Sequence, residues 1–163
     1  MSLSLALDLS YPDIIEEARV AIEVVRGRRP WAGKHPRTAC MKVVSYWKQW
    51  PCLFPQHGPG RKHHRRIQLA AWQQRIVNAH PEPFLRDLIQ TDGWRGLNRV
   101  HVKGKDYAYP RYQFSNRSDD IRQLFCDACD RIGVEWRPWG RWNISVARRD
   151  SVARLDQFIG LKS

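Results

Sequence analysis

The hydrophobic pattern is most regular in the second half of the chain. Apolar residues recur at helical spacing over 84–93, 118–132 and 149–159, whereas apolar and polar residues alternate along two hairpins, 94–116 and 134–146. The predicted order is therefore helix, strand, strand, helix, strand, strand, helix. Four alternating strands of this kind are typical of an antiparallel sheet with helices on one face and the other face turned outward. The predicted fold class is α+β.

The outward face of this sheet is predicted to be basic. Its side chains can contact phosphates and hydrogen-bond base edges, and a two-stranded ribbon fits the major groove of DNA. The candidate DNA-binding residues are Arg95, Arg99, His101, Lys103, Lys105, Arg111, Gln113, Arg137, Arg141 and Asn143. The alternation places Arg95, Arg99 and His101 on the same face as Arg111 and Gln113.

The first half of the chain carries a shorter version of the same pattern. Leucine at every second position of 3–9 predicts a strand, and 41–46 predicts another. A helix between them begins near Pro12 and is ended by the basic stretch 26–36; its predicted apolar face is Ile14, Ala18, Ala21, Ile22 and Val25. Asp13-Ile14 and Val44-Ser45 resemble Asp120-Ile121 and Ile144-Ser145, which indicates a partial internal repeat.

These patterns divide the chain into three segments. Residues 1–50 are predicted to form a partial strand–helix–strand repeat, 51–68 a basic linker loop rich in proline and glycine, and 69–163 the intact repeat. The basic run 61–66 has two interpretations of equal weight: a loop that binds phosphates and a loop that is only solvated.

Composition and charge point to a polyanionic partner. The 163 residues carry 28 Lys plus Arg against 16 Asp plus Glu, a net charge of +12. We expect neither a membrane span nor a signal peptide, and hence an intracellular, cytoplasmic protein that is nucleoid-associated if bacterial. Cys126 and Cys129 form a C-x-x-C pair inside a helical pattern, so we expect buried core residues rather than a zinc site.

The predicted helix 84–93 delivers one carboxylate, Asp92, to its own C-terminal end, where Gly93 is predicted to stop it. The helix dipole disfavours a negative charge there, so this position calls for a cation or another compensating partner. The alternative is that Asp92-Gly93 is only a turn.

The segment 85–93, Leu-Arg-Asp-Leu-Ile-Gln-Thr-Asp-Gly, together with the order of elements after it, resembles the LAGLIDADG family of homing endonucleases and related DNA-binding proteins. The resemblance implies an antiparallel sheet that forms a saddle on double-stranded DNA. It also implies two motif helices packed side by side, with Leu85, Asp87 and Leu88 at their interface, and Asp92 as a catalytic residue that binds Mg²⁺ and cleaves phosphodiester bonds.

Two features depart from the family pattern. Asp87 stands where the family usually has glycine, and the chain has one motif rather than two, so the second Asp92 would come from a homodimer. The leading expectation is therefore a Mg²⁺-dependent DNA endonuclease. The alternatives are a non-catalytic DNA-binding transcriptional regulator of the same fold and an RNA-binding or maturase-like protein.

Overall fold

The computed structural model describes residues 1–160, except for the side chain of Lys62. This part of the chain is α+β, as predicted, and divides into two compact units, Met1–His57 and Gly58–Gly160. Both units contain an antiparallel sheet. Within the described range, every helix is too short or too polar to cross a membrane.

The N-terminal unit is a three-stranded sheet covered by one long helix. Its elements are β1 (Ser2–Asp8), α1 (Pro12–Arg26), β2 (Trp31–Lys34), β3 (Cys40–Tyr46) and α2 (Trp50–Leu53), with strand order β1-β3-β2. The strand β2 was not predicted, because four residues containing one glycine are too short to show alternation.

The predicted apolar face of α1 is partly wrong. Ile15 and Ile22 are buried against the sheet, whereas Ala21 and Val25 are exposed. Because Ile14 and Ile15 are adjacent, the sequence allows two apolar faces on this helix, one that begins at each residue. The helix packs on Leu3, Leu5 and Leu7 of β1 with the face that begins at Ile15.

The C-terminal unit follows the predicted element order from residue 81 onward. After a 3₁₀ turn at Lys62–His64 come α3 (Ala71–Ala79), α4 (Pro81–Asp92), β4 (Gly93–Val102), β5 (Lys105–Ser115), α5 (Asp119–Arg131), β6 (Arg137–Trp139), β7 (Asn143–Val146) and α6 (Arg149–Asp156). All strand pairs are antiparallel, in the order β4-β5-β7-β6.

One face of this sheet packs against the helices. Tyr112 and Phe114 of β5 are buried in one cluster with Leu85 of α4, Phe125 of α5 and Leu155 of α6. The rings of Phe114 and Phe125 stack with centroids 4.5 Å apart. The apolar sides of α4, α5 and α6, which the sequence periodicity predicts, therefore cover a single face of the sheet.

The two units share one strand order. In the N-terminal unit the first strand pairs with the last, which pairs with the middle one, and β5, β7 and β6 repeat this arrangement. The matching dipeptides Val44-Ser45 and Ile144-Ser145 fall on the equivalent strands β3 and β7.

Gly93 connects α4 directly to β4, but not in the predicted way. Its φ of −107° is extended rather than left-handed, so it is not the predicted helix-stop conformation. A Cβ atom at this position would lie 2.6 Å from the Cα and carbonyl oxygen of Ile89. Glycine is therefore required by the close approach of strand and helix backbones.

We expect Gly93→Ala to lower the free energy of unfolding by about 1–3 kcal/mol, because the added methyl group collides with backbone that cannot rotate away. Urea denaturation of the full chain measures this change. The matched control is Gly58→Ala, whose added methyl group would meet only the side chain of Arg65, at 3.3 Å. Equal effects of the two substitutions would contradict the close approach.

Candidate nucleic-acid interface

Strand pairing fixes which side chains share a face of the C-terminal sheet. Directly opposed residues of antiparallel strands point to the same side. Tyr112 is buried under the helices and pairs with Arg95, so Arg95 points to the helix side. The opposite side, which we call the open face, carries Trp94, Asn98, Lys105, Tyr107, Tyr109, Arg111, Gln113, Arg137, Trp139 and Asn143.

The predicted basic face therefore combined residues from two sides of the sheet. Arg95, Arg99 and His101 lie on the opposite side from Arg111 and Gln113, which corrects their predicted common face. The error arose because β4 has apolar residues on both sides, including exposed Leu97 and Val100, so alternation alone does not fix its orientation.

The open face joins basic side chains to exposed aromatic rings. Trp94, Tyr109 and Trp139 are each about half exposed. The rings of Tyr107 and Tyr109 are nearly parallel, with centroids 6.0 Å apart and an interplanar angle of 6°. The guanidinium of Arg111 lies 5.8 Å from the centre of the Trp139 ring, which holds this cation at the surface of the sheet.

A shallow cleft of about 580 Å³ runs along the β5–β6 side of this face. Arg111, Arg137, Trp139 and Ser145 line it, together with Glu135 and Arg148, which form an ion pair with each other. Besides this ion pair, the cleft therefore presents two further guanidinium groups, those of Arg111 and Arg137, beside an indole.

The hairpin β4–β5 projects beyond the rest of the sheet. β5 pairs with β7 over Tyr112–Ser115, so among the described strands its first seven residues, Lys105 to Arg111, pair with β4 alone. Seven residues of strand span about 24 Å. The turn of the hairpin consists of Lys103 and Gly104, which both have positive φ, at 49° and 75°, as a two-residue hairpin turn of type I′ requires.

The remaining basic residues on this ribbon lie at its tip and on its helix-side face. Arg99 and His101 are exposed there, and His101 Nδ1 lies 2.7 Å from Asp106 Oδ1. Lys103 sits at the turn and Lys105 opens β5. Arg141 is also displaced from its predicted position on a strand, because it lies in the β6–β7 turn.

Arg95 has a partner within the protein. Its Nε and Nη2 donate hydrogen bonds to the two carboxylate oxygens of Asp156 in α6, at 2.6 and 2.8 Å. The hydroxyl of Tyr112 donates to the same carboxylate at 2.6 Å. Arg95 thus links β4 to α6.

This cluster shifts the pKa values of its three members, and the hydrogen bonds to Asp156 raise that of Arg95. The hydrogen bonds from Arg95, aided by that from Tyr112, hold the pKa of Asp156 below its ordinary value. Burial, together with the hydrogen bond to Asp156, raises the pKa of Tyr112 above its ordinary value. Each of these groups therefore links folding to proton binding.

We expect the stability of the fold to fall at both ends of the pH scale because of this cluster. The lowered pKa of Asp156 stabilises the fold above about pH 4, and this stabilisation is lost as the pH falls below that value. The raised pKa of Tyr112 stabilises the fold below about pH 10, and this stabilisation is lost as the pH rises above that value.

Urea denaturation across pH measures this dependence. In Asp156→Asn we expect a loss of about 1 kcal/mol at pH 7, since the site is partly exposed, and a smaller loss at pH 3. An Asp156→Asn protein with the same acid dependence as the parent protein would contradict the assignment.

Asp92 lies at the C-terminal end of α4, exposed and oriented by Asn116. The side-chain amide of Asn116 donates to Asp92 Oδ2 at 2.8 Å. Asn116 is itself buried: its Oδ1 accepts from the backbone N–H of Ser118, and its carbonyl accepts from Arg122. Asn116 thus connects Asp92 to the start of α5. This role was not predicted from the sequence; the one local signal for it is the position of Asn116 between a strand and an N-cap serine.

Asp92 supplies a single carboxylate at this position. In the part of the chain that the structure describes, no three His, Cys, Asp or Glu side chains converge as a metal-binding group. Magnesium is commonly bound by one or two carboxylates, with waters and substrate phosphates completing its shell. The described residues therefore offer such an ion one carboxylate at this position, that of Asp92.

The two cysteines of the C-x-x-C pair are buried in the core, as the helical pattern predicts. Burial raises the pKa of Cys126 to about 12 and also raises that of Cys129. Both thiols are therefore held in their protonated form.

Of the residues predicted at a helix–helix interface, only Asp87 is exposed. Leu85 is fully buried in the core of its own unit, which corrects its predicted place, and Leu88 packs against the same core. The exposed side of α4 carries Pro83, Asp87 and Thr91, spaced by four residues.

The chain matches no known family model, and a search of curated proteins also gives no match.

Proposed function

We propose that the protein binds double-stranded DNA through the open face and the projecting hairpin of its C-terminal unit, as a LAGLIDADG-like protein of the homing endonuclease type. The observation that supports this most strongly is the composition of the open face. Lys105, Arg111 and Arg137 stand on it, and no Asp or Glu of strands β4–β7 points to that side. The strands therefore offer cations to phosphates on this face, and the carboxylate that lines its cleft, Glu135, is paired with Arg148.

The shape of the hairpin supports the same proposal. The major groove of B-DNA is about 12 Å wide and admits a two-stranded ribbon. The ribbon is exposed on both sides, and Arg99, Lys103 and Lys105 add positive charge along it. Inserted in the groove, the ribbon would bring Gln113 and Asn143, at its base, toward the duplex, while the cations meet the phosphates.

Cleavage is a further step of the proposal and rests on Asp92. Magnesium held between Asp92 and a phosphate would activate water and stabilise the leaving oxygen. Asn116 would fix the orientation of the carboxylate. The second carboxylate would come from another copy of the chain, packed along the exposed side of α4.

We expect Mg²⁺-dependent nicking of supercoiled plasmid that falls to background in Asp92→Asn, because the amide loses the charge that binds the cation. Gel analysis of plasmid and target libraries measures it, and duplex binding in the variant controls for folding. Cleavage indistinguishable between the parent protein and Asp92→Asn would sink the endonuclease proposal. Light scattering that shows only monomer, with and without DNA, would exclude cleavage by two subunits.

If the protein binds a DNA duplex but does not cleave it, it is a non-catalytic regulator that uses the same interface. Its duplex affinity would fall with salt, would not depend on Mg²⁺ and would be unchanged in Asp92→Asn.

The parallel rings of Tyr107 and Tyr109 favour a second candidate, the binding of single-stranded RNA. Unpaired bases stack on exposed aromatic side chains, whereas bases within a duplex are already stacked. Competition between a duplex and a single-stranded RNA of equal length separates the two. Preferential displacement by RNA, abolished in Tyr109→Ala, would support the second candidate.

A further inference from the structure

A second basic site lies where the end of β5 and the β6–β7 turn meet the start of α5. It is a cleft of about 480 Å³, which we call the arginine cleft. Its lining residues are His63, His64, Arg117, Asp119, Arg122, Arg141 and Trp142. All of them belong to the C-terminal unit.

Two of the guanidinium groups are held in place by contacts within the cleft. Arg122 has a side chain only 15% exposed and donates hydrogen bonds to the carbonyl of Asn116 and the carboxylate of Asp119. Its guanidinium lies 5.8 Å from the Trp142 ring, and that of Arg141 lies 4.4 Å from the same ring. The indole therefore fixes both cations before any ligand arrives.

The cleft carries an excess of positive charge. Its three arginines face one carboxylate, Asp119, which is already paired with Arg122. Arg117 and Arg141 form no ion pair with any described residue, unlike Arg95, Arg148 and Arg154 of the same unit. The start of α5 adds the positive end of its dipole. This arrangement favours an anion with several acceptor oxygens.

We propose that the arginine cleft binds a phosphate group, supplied by the backbone of the nucleic acid that lies on the open face. The proposal rests on the proposed function for the source of the phosphate. Asn116 supports it, because this residue accepts a hydrogen bond from Arg122 and donates one to Asp92. The cleft and Asp92 are thus joined through one residue, as expected if the cleft binds a phosphate next to the one that Mg²⁺ on Asp92 would contact. A free nucleotide carries the same chemistry and is the other source.

The test replaces the two exposed arginines of the cleft, in Arg117→Gln and Arg141→Gln. Arg131→Gln is the matched control: it removes the same charge from the exposed far end of α5, about 14 Å along the helix from Arg122. The probes for the full chain are a short DNA duplex, titrated at several salt concentrations, and inorganic pyrophosphate. We expect the salt slope of duplex binding to fall by about 0.9 for each phosphate that a cleft variant no longer neutralises, with no change in Arg131→Gln.

The outcomes separate the source of the phosphate from the site. A reduced duplex slope in the cleft variants supports a backbone phosphate, and loss of pyrophosphate binding with unchanged duplex binding supports a free nucleotide. Cleft variants that bind both probes like Arg131→Gln overturn the proposal, even though the open face would still bind DNA. If the protein binds pyrophosphate in the cleft but binds no duplex, the proposed function is overturned, whereas the cleft remains a phosphate-binding site.

Discussion

Replacing Arg111 by glutamine is expected to weaken binding to a DNA duplex by about 1–3 kcal/mol, roughly fivefold to more than a hundredfold. Arg111 is held against Trp139 on the open face, so its guanidinium meets the duplex without first having to be ordered. The double variant Arg111→Gln/Arg137→Gln is expected to lose more, since both residues line the same cleft. Fluorescence anisotropy at fixed salt measures these affinities.

The matched control is Arg75→Gln on α3. Arg75 is exposed and belongs to a helix that packs with α4 and α5, so the substitution removes the same charge from the helix layer. An affinity loss in Arg75→Gln as large as that in Arg111→Gln would show that net charge, rather than the open face, determines binding.

Phe114→Ala is expected to lower the free energy of unfolding by about 3–5 kcal/mol, the largest stability change that we predict. Phe114 is fully buried and stacks on Phe125, so truncation leaves a cavity between the sheet and α5. Thermal and urea unfolding of the full chain measure this loss.

Tyr109→Ala on the same strand is the control for that substitution. Tyr109 is 51% exposed and points to the open face, so its truncation is expected to change stability by less than about 0.5 kcal/mol while weakening nucleic-acid binding. Large destabilisation by Tyr109→Ala would mean that the two faces of β5 are assigned the wrong way round.

The order of elements in the C-terminal unit was predictable because burial on one side enforces the pattern. Phe114 and Tyr112 on β5, and Ile144 and Val146 on β7, alternate with polar residues, since the helices of this unit pack on that side. The same physics explains the failure at β4. Most of its length belongs to a ribbon exposed on both sides, where no burial selects an orientation.

The contacts that tie the candidate site together could not be read from local sequence. Arg95 meets Asp156, 61 residues later in the chain, and Asp92 meets Asn116 across the hairpin. Neither pairing leaves a periodic signal, because each depends on the packing of a strand against elements that follow it. The LAGLIDADG resemblance and the endonuclease activity stay predictions, and the plasmid assay tests the second of them.

The most direct test of the proposed interface is nuclear magnetic resonance of the ¹⁵N-labelled chain, titrated with a short DNA duplex. The predicted result is that the largest backbone shifts fall on the projecting hairpin, on Arg111 and Gln113, and on Arg137 and Trp139, with α3 and α6 little changed. Largest shifts in α3 or α6, or no shifts at duplex concentrations that saturate other basic domains, would contradict a DNA-binding open face.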